Sequence, residues 1–275
     1  MRHAVFIRTG ALGDFILSLP LLRHLRRQYQ ELTLVARKRH LGLILGEGLH
    51  DRFIDADSAA AALPDAPPGA DFFVFGAPDP ASLAARRPGR IFWIAPRPEL
   101  PPHAAARFFL DAGIEPHADL LERPLWARTP GGTALWLHPG SGGARKNCPP
   151  ALFAKIAELW RQAMGGEVIV SFGEADEALP LPVKTAFAAR GVDFEPVTSP
   201  PLPELKSQLA TRAAFYVGND SGVSHLAGAL GVPSAALFRG SDPEVWRPLG
   251  GCQAIASDDE ELVAFKLKDA WLKLS

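Results

Sequence analysis

The chain has 275 residues, a length that favours two domains over one, and is 47% hydrophobic against 21% charged, which excludes disorder throughout. Its 29 Lys and Arg offset 30 Asp and Glu for a formal net charge of −1, so no overall basicity points to nucleic acid and any anion site must be local. The two cysteines, Cys148 and Cys252, lie far apart and outside any C-x-x-C pattern. That argues against a disulfide scaffold or a cysteine metal site and fits a reducing cytoplasm.

The opening 1-MRHAVFIRTGALGDFILSLPLL-22 has the look of a signal peptide, but Arg8 and Asp14 interrupt the apolar run and no A-x-A-like cleavage site follows promptly, so folded protein is expected. No uncharged apolar run approaches the ~18 residues that suggest a membrane span. A strand is predicted over 3–8, then a helix over 11–28 with Leu12, Phe15, Ile16, Leu19, Leu22 and Leu25 at helical spacing. Arg23, Arg26 and Arg27 fall near its C-terminal end, where the dipole favours cations, and Pro20 is expected to kink or divide it. A strand over 31–36 leads to the basic 37-RKRH-40, readable as a solvated turn or as the lining of an acceptor groove. The Ala- and Pro-biased 56–70 reads as a surface connection, followed by a strand over 71–76, a helix over 79–87, a strand over 90–95 and a helix over 102–112.

Between 114 and 132 the pattern lapses into Pro, Gly and charge, the best linker candidate, with a domain boundary at 130. The alternation then restarts with strands over 133–138, 167–172, 213–218, 234–238 and 252–257 and helices over 150–164, 203–212 and 258–272, plus a short helix after 218. Strands alternating with helices indicate parallel sheets covered by helices. Two such halves, 1–130 and 131–275, imply a cleft, and ligands in open α/β sheets sit outside the carboxyl ends of the strands.

Three loops at those ends carry the chemistry. In 217-VGNDSGVSHLAGALGVP-233 the strand delivers Asp220 and Ser221 onto a helix start, where free N–H groups and the positive dipole end attract phosphate. Two readings stand side by side: one of these residues simply caps the helix, or the one left over serves a ligand. His225, about one turn further on, reads more as a packing or hydrogen-bonding residue than as a base. In 138-HPGSGGARKNCPP-150 three glycines allow a close approach, Ser141 is a donor, and Arg145 and Lys146 are cations. The loop fails the Walker pattern because Asn147 follows Lys146. The third loop, 8-RTGALGD-14, lacks G-x-G-x-x-G, and Asp14 either complements the helix dipole or stands as a base opposite a leaving group held by the other half. The triplet 55-DAD-57 is a weak metal motif, and neither H-E-x-x-H nor G-x-S-x-G occurs.

Taken together, 10-GALGDFILSLPLLRHLRRQY-29, 138-HPGSGGARKNCPPALFAKIAE-158 and 218-GNDSGVSHLAGALGVPSAALFRGSDPEVWRP-248 resemble the family-9 glycosyltransferases, the ADP-heptose:lipopolysaccharide heptosyltransferases. The resemblance implies the α/β GT-B fold, two Rossmann-like domains facing across a cleft: an N-terminal acceptor domain and a C-terminal donor domain. It implies transfer of heptose from an ADP-sugar to a saccharide or glycolipid acceptor such as lipopolysaccharide core, with inversion, without a metal or other cofactor, in the cytoplasm or peripherally at the inner membrane. By the same resemblance Asp14 matches the acid of the L-G-D motif, the general base. Lys146 looks like the lysine of K-x-W-P, opposite the diphosphate. Asp220, Ser221 and Gly222 look like D-[ST]-G, and His225 falls on the usual histidine of that helix. Glu177 in 173-GEADE-177 is matched to an acid that holds sugar or ribose, and Ser141 and Arg145 join the donor-binding set. The sequence departs from the family where Cys148 replaces the Trp of K-x-W-P and where 238-FRGSDP-243 replaces F-G-P-T-D-P. Transfer from another nucleotide sugar, a sugar-nucleotide epimerase, and a nucleotide-binding module without transfer are the competing readings.

Overall fold

The computed structural model describes residues 2–58, 65–76, 83–129, 131–257 and 259–272. Two compact units divide the chain, Met1–Leu120 and Leu121–Ser275. The sequence boundary at 130 therefore gives way to one at 120/121. Backbone bonding is the reason: the N–H groups of Leu125 and Trp126 bond the carbonyl of Ala229, and that of Gly250 bonds the carbonyl of Leu121. Lys206 Nζ also lies 3.8 Å from the Trp126 ring. A stretch rich in Pro and charge is thus ordered against the second unit.

In the first unit the described elements run β1 (His3–Arg8), α1 (Leu12–Arg26), β2 (Glu31–Ala36), α2 (Lys38–Leu41), β3 (Arg52–Asp55), β4 (Asp71–Phe75), β5 (Ile91–Ile94) and α3 (Ala104–Asp111). All strand pairs are parallel, in the order β3-β2-β1-β4-β5. Of the helix expected over 79–87, residues 79–82 lie outside the described residues, and only 83–84 of the remainder are helical. One face of the sheet packs Val5, Ile7, Val35, Phe72 and Val74. On β1 and β4 the alternate residues Phe6 and Phe75 meet edge to face at 5.3 Å, and Phe75 meets Phe108 of α3 at 5.0 Å. Fully burying side chains of this size contributes about 1.5–3 kcal/mol each.

Helix α1 runs unbroken through Pro20, so the expected division does not occur. Its face Phe15, Ile16, Leu19, Leu22 and Leu25 is fully buried, and this burial outweighs the one backbone bond that a proline nitrogen cannot make. The basic end is anchored as well, Arg23 to Glu47 and Arg26 to Asp51, both at 2.6 Å.

The 37–40 cluster divides by side chain. Arg37 donates to the Thr9 carbonyl at 3.1 Å, whereas His40 is fully buried with its ring 5.1 Å from that of Phe15. Among the described residues neither nitrogen of His40 has a hydrogen-bond partner, and burial, reinforced by Arg39 and Arg37, pulls its pKa from 6.5 to about 4. The unfolded chain therefore takes up this proton first. The chain's stability should fall by about 3 kcal/mol as pH drops from about 6.5 to about 4. Urea midpoints across that range, compared with His40→Leu, check this. Equal slopes for the two proteins would contradict it.

The second unit contains β6 (Ala134–His138), α4 (Pro150–Met164), β7 (Val168–Phe172), α5 (Pro180–Ala188), β8 (Glu195–Thr198), α6 (Leu202–Arg212), β9 (Ala213–Asn219), α7 (Gly222–Ala229), β10 (Ser234–Leu237), α8 (Pro243–Trp246), β11 (Gln253–Ile255) and α9 (Glu260–Leu272). Its parallel sheet has the order β11-β10-β9-β6-β7-β8. Leu135, Leu137, Val170 and Val217 pack beneath Phe153, Ile156 and Trp160 of α4 and Leu267 and Trp271 of α9. The rings of Trp160 and Trp271 meet at 5.3 Å, nearly perpendicular.

Both sheets reverse their strand order once, between β1 and β4 and between β6 and β9. Such switch points leave the loops on either side free to part and form a crevice. Asp14 lies in the first turn of α1, just past the loop after β1, and the loops bearing Lys146 and Asp220 follow β6 and β9.

Candidate active site

In the second unit His138, the last residue of β6, stands in register with Gly218 of β9, so the two loops leave the sheet side by side. Asn219 joins them: its Oδ1 accepts the Cys148 N–H at 3.0 Å and its Nδ2 donates to the Pro139 carbonyl at 2.7 Å. Across this bridge Lys146, on a 3-10 turn over Ala144–Lys146, places Nζ 2.6 Å from Asp220 Oδ2. The same oxygen accepts the Ser241 hydroxyl at 2.6 Å, and Asp220 Oδ1 lies 4.0 Å from His225 Nε2. Asp220 and His225 are buried, while the Lys146 side chain keeps 42% of its surface exposed. A buried carboxylate thus holds an ammonium that still faces solvent.

Of the two capping candidates, Ser221 is the N-cap of α7, its hydroxyl accepting the Ser224 N–H at 3.3 Å. Asp220 is the residue left over, its own N–H bonding the Leu237 carbonyl. Gly222 opens the helix. Ser141 has turned inward, donating to Asn147 Oδ1 at 2.6 Å and accepting the Gly143 N–H at 3.2 Å, so it shapes its own loop. Arg145 and Glu177 are exposed.

Beside Glu177 the buried acid is Asp176, whose Oδ2 accepts the Gly173 N–H at 2.7 Å and lies 3.9 Å from His138 Nε2. His138 Nδ1 is 3.0 Å from the Ser171 carbonyl, which can only accept, so Nδ1 carries the proton. Burial lowers the pKa of His138, with Asp176 opposing. A Cβ at Gly140 would fall 2.1 Å from the Asp176 carboxylate, which explains glycine there: the β6 loop is pressed against the turn after β7.

The departure at 238–243 also has a structural basis. Gly240 adopts φ +78°, a left-handed conformation that the Pro of F-G-P-T-D-P could not take. Arg239 donates to the Asn147 carbonyl at 3.2 Å, tying this turn to the Lys146 loop.

In the first unit Asp14 sits in the first turn of α1. Its Oδ2 accepts the Ala11 N–H at 3.0 Å and its Oδ1 lies 3.2 Å from Nη2 of Arg8. Asp55 of the DAD triplet serves a turn instead, accepting the N–H groups of Lys38 and Asp57. Among the described residues no three His, Cys, Asp or Glu side chains gather as metal ligands.

Asn219, Ser241, Arg239, His138, Asp176 and Arg8 are the site-building residues that sequence reasoning did not assign. No curated sequence matches the chain. A glycosyl transferase family 9 protein from Veillonella parvula superposes with TM-score 0.69 at 17% identity, over 97% of this chain and 91% of its own. E. coli heptosyltransferase WaaC with ADP gives 0.71 at 16% identity, over 99% and 100% of the two chains. E. coli ADP-heptose LPS heptosyltransferase II gives 0.62 at 17% identity, over 99% of each. These likenesses fix the two-sheet α/β fold as that of the GT-B heptosyltransferases. The model of glycosyltransferase family 9 (heptosyltransferase) matches residues 127–273, more than half of the chain and all of the loops joined by Asn219 and Asp220. The chain belongs to that family and is a glycosyltransferase.

Proposed function

We propose that the enzyme transfers heptose from ADP-heptose to a saccharide acceptor such as lipopolysaccharide core, with inversion and without a metal ion or other cofactor. The observation that carries this reading is the Lys146–Asp220–Ser241 cluster at the start of α7. A solvent-facing ammonium beside a helix N-terminus suits a diphosphate. The similarity to WaaC, a heptosyltransferase described with ADP, favours adenine as the base.

In the proposed reaction Asp14 takes the proton of an acceptor hydroxyl as its oxygen bonds to the anomeric carbon. The bond from that carbon to the diphosphate oxygen breaks, and ADP leaves with the electron pair. Lys146 supplies the positive charge that a metal supplies elsewhere, aided by the N–H groups at the start of α7 and by Arg145 at the loop surface. Asp220 holds Lys146 and approaches the sugar, and Ser141, Gly222, His225 and Glu177 complete the donor side. The enzyme is proposed to work in the cytoplasm, touching the inner membrane peripherally; among the described residues no helix is long and apolar enough to cross a membrane.

Calorimetric titration with ADP, UDP and GDP tests the donor. ADP should bind selectively, and transfer from ADP-heptose should then survive EDTA. Failure of all three nucleotides to bind would end the phosphate-loop argument, and a chelator-sensitive rate would end metal independence.

A further inference from the structure

Arg8 closes β1 with a side chain only 2% exposed. A buried cation costs several kcal/mol unless it is well paired, and among the described residues the polar contacts of the Arg8 guanidinium go to two places. Nε donates to the backbone carbonyl of Asp14 at 3.1 Å and Nη2 lies 3.2 Å from Asp14 Oδ1. Nη1 and Nη2 donate to the Pro96 carbonyl, at 3.2 and 3.3 Å, in the segment after β5. The guanidinium carbon lies 4.5 Å from the Phe75 ring centre and 5.3 Å from that of Phe108. Burial lowers its pKa to about 10, Asp14 opposing and Arg97 assisting, so it stays charged at neutral pH.

A helix cap alone needs no such partner, because the Ala11 N–H already engages Oδ2 of Asp14. Gly10 leaves no slack on that side, since a Cβ there would stand 2.6 Å from the same oxygen. The carboxylate is gripped at both oxygens, by a backbone amide and by a guanidinium packed against two phenyl rings.

We infer that Arg8 is a positioning residue that fixes the orientation in which Asp14 meets the acceptor hydroxyl, an inference resting on the proposed role of Asp14 as base. Arg8 touches no substrate and acts through Asp14. Small misplacement of a reacting group costs on the order of 10²-fold in rate, and that loss should appear in kcat.

The test is a double-mutant cycle on the full chain with ADP-heptose and a deacylated lipopolysaccharide core acceptor, using Arg8→Met, Asp14→Asn and the double variant. Arg8→Met should lower kcat by about 10²-fold, with the donor KM and the Kd for ADP within about twofold of wild type. In the Asp14→Asn background the same change should cost nothing further, and Arg8→Lys should recover part of the loss. Equal losses from Arg8→Met in both backgrounds, or wild-type kcat in folded Arg8→Met, would overturn the inference. If Arg8→Met fails to fold, Arg8→Lys takes its place in the cycle, with a smaller loss that must again vanish without Asp14. Wild-type kcat in Asp14→Asn alone would remove the base and Arg8's role together, a result distinct from failure of the coupling.

Discussion

Asp14→Asn should lower kcat about 10²- to 10⁴-fold, the usual loss on removing a positioned general base, while the Kd for ADP stays unchanged. The substitution keeps the side chain's size but not its two acceptor oxygens. One of the Ala11 N–H and the Arg8 Nη2 then faces an amide nitrogen, so a stability loss of about 1 kcal/mol accompanies the catalytic one. Separate measurement of melting, ADP binding and turnover divides these effects. ADP binding is expected to survive because Lys146 and Asp220, proposed to hold the diphosphate, belong to the other unit of the chain. Normal turnover would take Asp14 out of the reaction.

The second large effect is expected at Lys146. Lys146→Ala removes the charge proposed to meet the departing diphosphate, a loss of about 10²-fold in kcat by analogy with deleting one donor from an oxyanion site. ADP should also bind at least tenfold more weakly, since the same ammonium is proposed to contact the ground-state diphosphate. The fold should tolerate the change. Asp220 is buried but keeps the Ser241 hydroxyl, so the stability loss from removing its ammonium partner should be about 1–3 kcal/mol. Unaltered ADP affinity in a folded Lys146→Ala protein would dismiss Lys146 as the phosphate cation.

The buried parallel strands were legible because each is an apolar run bounded by turn residues, as in 71–75 and 213–219. Two edge strands were not. Arg52–Asp55 is short and half charged, and Glu195–Thr198 contains Pro196, which only an edge position tolerates. Helix α5 was missed because Pro180 and Pro182 stand in its first turn, where proline fits, yet read as loop. Pro20 misled in the opposite sense, since a proline's local effect is visible in sequence and the burial that offsets it is not.

The site divided along the same line. Lys146, Asp220 and Ser221 stood out because cations, acids and glycines cluster after strands. Asn219, Ser241 and Asp176 act through partners 71, 21 and 38 positions away, Cys148, Asp220 and His138 respectively. A lone Asn or Ser carries no mark of such a partner.

The pairing of β6 with β9 has a further consequence, for the order of assembly. These strands lie side by side at the centre of their sheet, yet 74 residues separate His138 from Ala213, so their contact closes a long loop. Loop-closure entropy makes such pairings late. Helix α4 and strand β7 can form from neighbouring sequence alone, but the Asn219 bridge cannot. Most of the secondary structure of this unit can therefore form before Asn219 bridges the two loops and Lys146 meets Asp220. The Lys146–Asp220 cluster assembles only once this non-local pair has formed, and a ligand that binds the cluster stabilises only chains that have completed it.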